Sequence, residues 1–452
     1  TYNTAVGFNA GAVMSTGSLN TLVGGLSGDA MTTGTTNCAL GYLTLSAETT
    51  GQRGTAMGYS ALANQNTTGG HQMYNTAYGF FAGLNITTGL QNTLIGGDAG
   101  KSLTDADFNV AVGKGVLETD TQGSQSTAVG YSALASQNFS SAANSGNSAF
   151  GYNSGGSFTT GIQNTTVGSL SGDALTDADR NTVLGYQALS TDTRGSRSTA
   201  LGWNALASQN FTSATDTYNV AVGYSAGSEI TTGVNNTAIG GLAGDAITTG
   251  TANTLLGQAA GGAINTGTNN TCIGQGTGDA MTTGSANTFI GVNAGGGANT
   301  TGTSNTAMGN SAGFDLTSGS NNLLLGNDAG RTGSPDGSFH SVSNRMVLGD
   351  ENITKCSVQV DWTIASDQRD KTDFTALNLG LDFVKALTPV TYKWDKRSKY
   401  GDKYADDYDL DAQTPDGTHK EDWLDIGFKA QEVNALEESS GYKIADKTNL
   451  TT

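Results

Sequence analysis

Five residues, Asn3-Thr4-Ala5-Val6-Gly7, constrain this chain more than any other feature, because they keep returning. The cassette recurs as Asn20–Gly24, Asn75–Gly79, Asn92–Gly96, Asn164–Gly168, Asn236–Gly240 and Asn287–Gly291. Degenerate copies such as Asn109–Gly113 and Ser198–Gly202 fill the gaps, so that twenty copies lie before Asp350. Most starts are 17 residues apart, at 3, 20, 37, 54, then 75, 92, 109, 126, then 147, 164, 181, 198 and 219. Every fourth step is 21, which makes a super-repeat of 72 residues. With so short a fixed period, each unit must bury its apolar face on its neighbours, and the result is stacked β-rungs, a solenoid or roll.

Strand alternation assigns the positions of a cassette to faces. The fourth position is large and apolar in all twenty copies, as in Val6, Val23, Leu40, Met57, Tyr78, Ile95 and Val112. That places it inside the coil, sharing a face with the second position, usually Thr. The third position points the other way, yet it too is non-polar (Ala5, Leu22, Ala111, Leu255, Phe289). A strand that is apolar on both faces is normally covered on both. The expected assembly is therefore an elongated homotrimer, with one face in the coil and the other against sister chains. Small residues seven places beyond the cassette start (Ala10, Ala82, Ala99) suit a tight corner. Thr-Thr-Gly, as at Thr32–Gly34 and Thr87–Gly89, closes the coil, with glycine supplying a positive φ. The leading Asn is expected to form a hydrogen-bonded ladder between rungs. No 3.6-residue stripe appears, so helix is not expected here.

Construction changes near residue 350. Residues 1–350 hold 8 of the 21 Lys+Arg, one of the four Trp (Trp203) and one of the three Pro (Pro335). The 66 glycines follow no Gly-X-Y period, which excludes collagen. The net charge of −18 divides into 8 minus 19 over residues 1–350 and 13 minus 20 over the rest. An acidic surface of this kind cannot displace counterions from a phosphate backbone, so no nucleic-acid partner is expected. Cys38, Cys272 and Cys356 are too few and scattered for a disulfide framework, and the first two read as buried free thiols. No stretch approaches the roughly 18 apolar residues of a membrane span. The chain opens at Thr1 in mid-repeat, so a docking or targeting segment is expected upstream.

Three features of the repeats are candidate sites. The 21-residue steps carry their extra residues near Asn64–Tyr74, Ser136–Gly146 and Ser208–Tyr218. With rungs about 4.8 Å apart, such bulges recur about every 19 Å along one face, either as a ligand-facing comb or as a loop copied with the super-repeat. Asp29, Asp173, Asp245 and Asp279 share one offset in Gly-Asp-Ala, but one carboxylate per site is too few for calcium and solvated turn residues are expected. His71, His340 and His419 are far apart, so neither metal nor cofactor is expected.

Beyond Lys355 the text is that of a small α+β domain. Ser357–Ile364 alternates like a strand; Phe374, Leu377, Leu381 and Val384 form a helical stripe that Pro389 ends. Pro389–Trp394 reads as a second strand. Residues 402–425, with nine acidic residues, read as a solvated loop, and Ile426–Val433 leads into a short helix. In this order, Ser366-Asp367-Gln368-Arg369-Asp370-Lys371, Pro389-Val-Thr-Tyr-Lys-Trp394 and Gly427-Phe-Lys-Ala-Gln-Glu-Val433 resemble the intramolecular chaperone domain of phage tail fibres and tailspikes, the S74 peptidase family. The resemblance implies a domain at 366–452 that trimerises, assists folding of the β-rich fibre ahead of it and cuts itself off. It would be C-terminally incomplete, with a connecting strand at 351–365. Carried over, Ser366 is the nucleophile, Lys371 its general base and Ala365–Ser366 the scissile bond. Such a dyad is chemically reasonable, since a desolvated lysine can take the proton of a serine hydroxyl. The repeats are also similar to those of phage fibres and, more loosely, of trimeric bacterial adhesins.

These expectations define a virion tail fibre that binds a host surface receptor, glycan or protein, and docks on a tail or baseplate through an upstream segment. The alternative is an extracellular adhesin or surface filament using the same trimerisation domain. A glycan-degrading tailspike would need clustered carboxylate pairs with aromatic platforms, and the repeats supply no such pair.

Overall fold

The computed structural model describes residues 2–357, 381–401, 409 and 412–439. The chain divides into two compact units, Thr1–Asp350 and Glu351–Thr452. The first is a β-solenoid. Twenty three-residue strands, from Thr4–Val6 to Met346–Leu348, form one parallel sheet in which each cassette pairs in register with the next. Thr4, Ala5 and Val6 face Thr21, Leu22 and Val23. The 21-residue step keeps the same register, with Thr55, Ala56 and Met57 facing Thr76, Ala77 and Tyr78. At about 4.8 Å per rung, nineteen such steps span about 90 Å within this unit.

Glycine ends each strand because the next rung leaves no room for anything larger. Gly24 has φ +134, and a Cβ there would lie 2.2 Å from the Gly41 carbonyl oxygen. The glycines that close the coil at Thr32–Gly34 and Thr87–Gly89 serve the same purpose and not the expected positive φ; a Cβ on Gly89 would meet the Ala106 oxygen at 2.5 Å. Left-handed backbone falls elsewhere, on the residue before each cassette (Leu19, Tyr74, Tyr218) and on the seventh position (Asn9, Phe81, Asn153). These are mostly non-glycine residues, uncommon in that region. Corner amides donating to the rung below hold them there, for example Leu26 N to Phe8 O at 2.8 Å.

The faces of the strand are the reverse of those expected from residue size. The third position points inward and is fully buried at Leu22, Ala111, Leu255 and Phe289, whereas fourth-position Val6, Leu40, Tyr78 and Ile95 are exposed. The interior opposite the strand already holds the alanine seven residues on (Ala82, Ala99) and a large side chain eleven residues on (Met31, Ile86, Leu103), all buried. Little width remains, so alanine commonly occupies the third position, and the larger residues line the outside of the sheet. The Asn ladder forms as expected. Asn20 donates its backbone N–H to Asn3 Oδ1 (2.9 Å) and its amide to Gly34 O (2.8 Å), and buried Asn37 repeats both bonds one rung on. These ladder amides thus have backbone partners, as burial of polar groups requires.

The second unit contains helix α1 (Leu381–Ala386), an antiparallel strand pair of Val390–Tyr392 with Asp425–Gly427, and helix α2 (Ala430–Ser439). Strand Val390–Tyr392 and α2 lie where the motifs put them, whereas Asp425–Gly427, at the end of the stretch read as a solvated loop, is a strand that the sequence reading did not expect. The Phe374 and Leu377 half of the helical stripe, and the strand expected from Ser357 to Ile364 beyond its first residue, lie outside the described residues.

Candidate functional site

Ala365, Ser366 and Lys371 all lie outside the described residues. The features that the structure does display belong to the solenoid, and the long rungs come first. Their extra residues form a second, minor ladder outside the main sheet. Ala143–Asn144 pairs with Gly123–Ser124, and Thr215–Asp216 pairs with Gly195–Ser196; in the first super-repeat this shrinks to a bridge between Gln52 and Gln72.

Beneath each insertion sits a carboxylate with no exposure at all: Glu48, Asp120 or Asp192. Asp120 accepts hydrogen bonds from Gly123 N (3.0 Å), Phe139 N (3.1 Å) and Gln137 Nε2 (2.6 Å). Asp192 repeats this with Gly195 N, Phe211 N and Gln209 Nε2. The glutamine continues the network. Gln137 Nε2 donates to Ser126 Oγ (2.9 Å), and its Oε1 accepts from Asn147 (2.9 Å), bridging the rung where serine interrupts the Asn ladder. These acids occupy the large inward position that is Met31, Ile86 or Leu103 in other rungs. Volume is conserved by an exchange. In the acid-bearing rungs, buried Leu45, Leu117 and Leu189 adopt φ +49 at the place where other rungs have Gly28, Gly83 or Gly100. Sequence reasoning missed this group. Its signal was a carboxylate at an otherwise apolar offset, in phase with the 72-residue period.

On the outside, two columns run along the sheet. Fourth-position side chains form an apolar column through all twenty rungs. Beside it, the sixth position carries a broken aromatic column. Tyr42, Tyr59 and Phe80 stack with ring centroids 5.5 and 5.3 Å apart, Tyr131 and Tyr152 at 5.5 Å, and Trp203 and Tyr224 at 4.8 Å. The last two pairs are within 11° of parallel. Lys114 Nζ sits 5.6 Å from the Tyr131 ring centre. The insertions add charged and aromatic groups nearby in sequence. Arg53 packs over Tyr74 and bonds to Gln72, and Arg197 packs over Tyr218 and pairs with Asp216. Under the first insertion, Thr67, Thr68, His71, Thr88 and Leu90 line an open groove of about 200 Å³.

The Gly-Asp-Ala row is less solvated than expected. Asp29 Oδ1 and Asp173 Oδ1 are buried without a hydrogen-bond partner. Burial raises the carboxyls of Asp173, Asp245 and Asp279, and Asp245 also faces the charges of Asp279 and Glu229. Asp245 and Asp279 approach each other across Gly262, where a Cβ would lie 2.5 Å from Asp279 Oδ1 and 3.5 Å from Asp245 Oδ1. Among the described residues, no group of three His, Cys, Asp or Glu is arranged to hold a metal. His340 bonds to Ser338 and to the Asp315 carbonyl, and His419 packs edge-on to Tyr400. Cys272 is buried, its thiol pushed up to about 12 by desolvation, so it is inert. Cys38 is only half-buried, because it takes an outward second position.

No helix among the described residues is long and apolar enough to cross a membrane. Comparison with curated proteins and with solved structures yields no match. Residues 366–442 match the family model Peptidase_S74, described as chaperone of endosialidase. A β-solenoid body followed by this domain is the make-up of a tail fibre or tailspike protein with a C-terminal intramolecular chaperone.

Proposed function

We propose that this chain is the receptor-binding fibre of a phage virion, a homotrimer whose repeat region reaches the host surface and whose C-terminal domain directs its folding and assembly. The observation that carries the reading is the placing of the chaperone-family match after a solenoid whose sheet is apolar on the outside along its whole length. Residues such as Val6, Tyr78, Leu184 and Leu256 are each at least 45% exposed in one chain. A contiguous apolar face of this size marks an association surface. Because alternation places the third position inside, the fourth-position column is the one that meets sister chains. The division of labour is 1–350 as fibre, 351–365 as connection and 366–452 as chaperone.

The only chemistry in this reading is self-cleavage. Ser366 Oγ attacks the carbonyl carbon of Ala365 while Lys371 takes the hydroxyl proton. The Ala365–Ser366 C–N bond breaks as Lys371 gives that proton to the leaving Ser366 amine, and water hydrolyses the resulting ester. Lys371 must be neutral to act, which requires desolvation strong enough to outweigh Asp367, Asp370 and Asp373 nearby in the sequence. Sedimentation of the full chain, adsorption of labelled chain to a panel of bacteria, and mass spectrometry test the parts separately. Expected are three copies, saturable binding to some strains, and a new chain beginning at Ser366 that is absent from Ser366→Ala and Lys371→Ala. A native monomer at micromolar concentration contradicts the assembly. Failure to adsorb to any strain contradicts host recognition, and an intact wild-type chain contradicts cleavage.

A further inference from the structure

The sixth-position aromatics differ from the apolar column beside them in one respect: they are interrupted. Gly25, Gly97, Ser169 and Gly241 occupy the second rung of successive super-repeats, and beyond Tyr224 the position turns to Gln258 and Gln275. A seam between copies along the rod needs continuity, and the unbroken fourth-position column supplies it. The aromatic column instead comes in short stacks repeated every four rungs, about every 19 Å.

Ring geometry defines what such a stack can hold. Centroids 5.5 Å apart between rings only 11° from parallel are too far for faces in full overlap, so the planes slide past each other like stairs. Each step leaves part of a ring face in water; Tyr131 is 49% and Tyr152 56% exposed. Beside the rings, the seventh position carries half-buried neutral polar residues: Ser132 and Asn153 at the second stack, Asn204 at the third. Among the sixth- and seventh-position residues of these two stacks, Lys114 is the one cation. This is the composition that recognises a sugar ring, whose C–H face lies on an aromatic plane while its hydroxyls bond to amides and hydroxyls. It lacks the arginines that a polyanion would need, on a chain that is itself acidic. A sugar residue in an extended glycan advances by about the height of one rung, so a chain lying along the solenoid axis meets successive stairs in step.

We propose that the stacked aromatics of residues 42–224 bind an extended neutral polysaccharide parallel to the rung axis, one segment per super-repeat. The inference rests on the host-recognition reading and names its ligand class and surface. Repetition adds avidity without any single strong site.

The test uses the full chain against a panel of soluble linear polysaccharides: β-glucan, galactan, mannan and chitin oligomers. Readouts are the dissociation constant and tryptophan emission, with sedimentation as a check on assembly. At least one glycan is expected to bind and shift the emission. Trp203→Ala should remove the Trp203 part of that shift and weaken binding about tenfold. A variant with Tyr152→Ser, Trp203→Ala and Tyr224→Ser together should weaken it at least a hundredfold at unchanged sedimentation. Gln275→Ala, at the same position in the plain rungs, should change nothing. Binding by no glycan overturns the proposal, as does unaltered affinity in the triple variant. Loss of assembled mass in that variant also overturns it, making the stairs a copy–copy contact. If the triple variant still adsorbs to host cells, the stairs are not the receptor site but the fibre reading stands. If wild type adsorbs to none, host recognition itself fails.

Discussion

Rungs starting at residues 3 to 219 and those starting at 236 to 345 share one cassette and one sheet, yet they are furnished differently. The first group has a longer rung at every fourth step, a buried acid beneath it, a glutamine that bridges the Asn ladder at Gln137 and Gln209, and aromatic stairs outside. The second group runs at plain steps until 287, with Ile247, Ile264 and Met281 buried where the first group places its acids. The solenoid therefore does not need the acid, the insertion or the stairs. The acids occur only beneath insertions, because the acid's partners include backbone amides of the insertion itself, such as Phe139 N above Asp120. An inward carboxylate is tolerated only where an insertion supplies donors.

The most severe way to break this contrast is to put the acid where no insertion exists. Ile264→Asp buries a charge without donors and should cost about 3–5 kcal/mol, read as a shift in the chemical-denaturation midpoint. Wild-type stability there would mean that the insertion is irrelevant to the acid. The converse change acts locally. Asp120→Ala orphans the Gly123 and Phe139 amides, at about 1–3 kcal/mol for each buried donor. Amide exchange should accelerate at Gly123 and Phe139 while the plain rungs keep their protection.

A weaker contrast concerns pH. Desolvation raises Asp245, so the folded state holds its proton up to a higher pH than the unfolded chain, whose carboxyl titrates near 3.8. The neutral carboxyl favours the fold fully below that value, and the benefit is lost as pH rises through the raised folded pKa. Asp245→Asn should therefore raise the melting temperature at pH 7 and leave it unchanged below pH 3.8. Equal stabilisation at both pH values would point to packing instead of charge. Smallest of all is Gly241→Ala, where the φ is ordinary and nothing lies within 4 Å of the added methyl; a change beyond about 0.5 kcal/mol is not expected. Calorimetry of this single variant against wild type would expose any hidden contact at that gap.

Periodicity sufficed for the solenoid, the rung register and the Asn ladder, because each follows from repetition and not from any one residue. It failed at the strand faces, where the larger residue was assumed to be the inner one. Val112 and its equivalents point out because Ala82-type and Met31-type side chains already fill the coil. The role of the Thr-Thr-Gly glycines was missed for a related reason: contact with the next rung at Gly89 leaves no trace in local turn chemistry. Asp120 was legible in principle as a polar letter at an apolar offset. Its partner Phe139 N could be found only once the insertion had been folded back over it. The motif residues Ser366 and Lys371 rest on resemblance and the family match alone.

The central claim is that the third position builds the coil and the fourth meets other copies. It is tested most directly by two neighbouring substitutions in the strand Val110–Val112, Ala111→Asp and Val112→Asp, each followed by circular dichroism and sedimentation of the full chain. Ala111→Asp should destabilise the fold by several kcal/mol, about what an unpaired buried charge costs. Val112→Asp should keep the native β-signal in each chain while weakening the association between copies. The reverse, a fold that tolerates aspartate at Ala111 and collapses with it at Val112, would contradict the account.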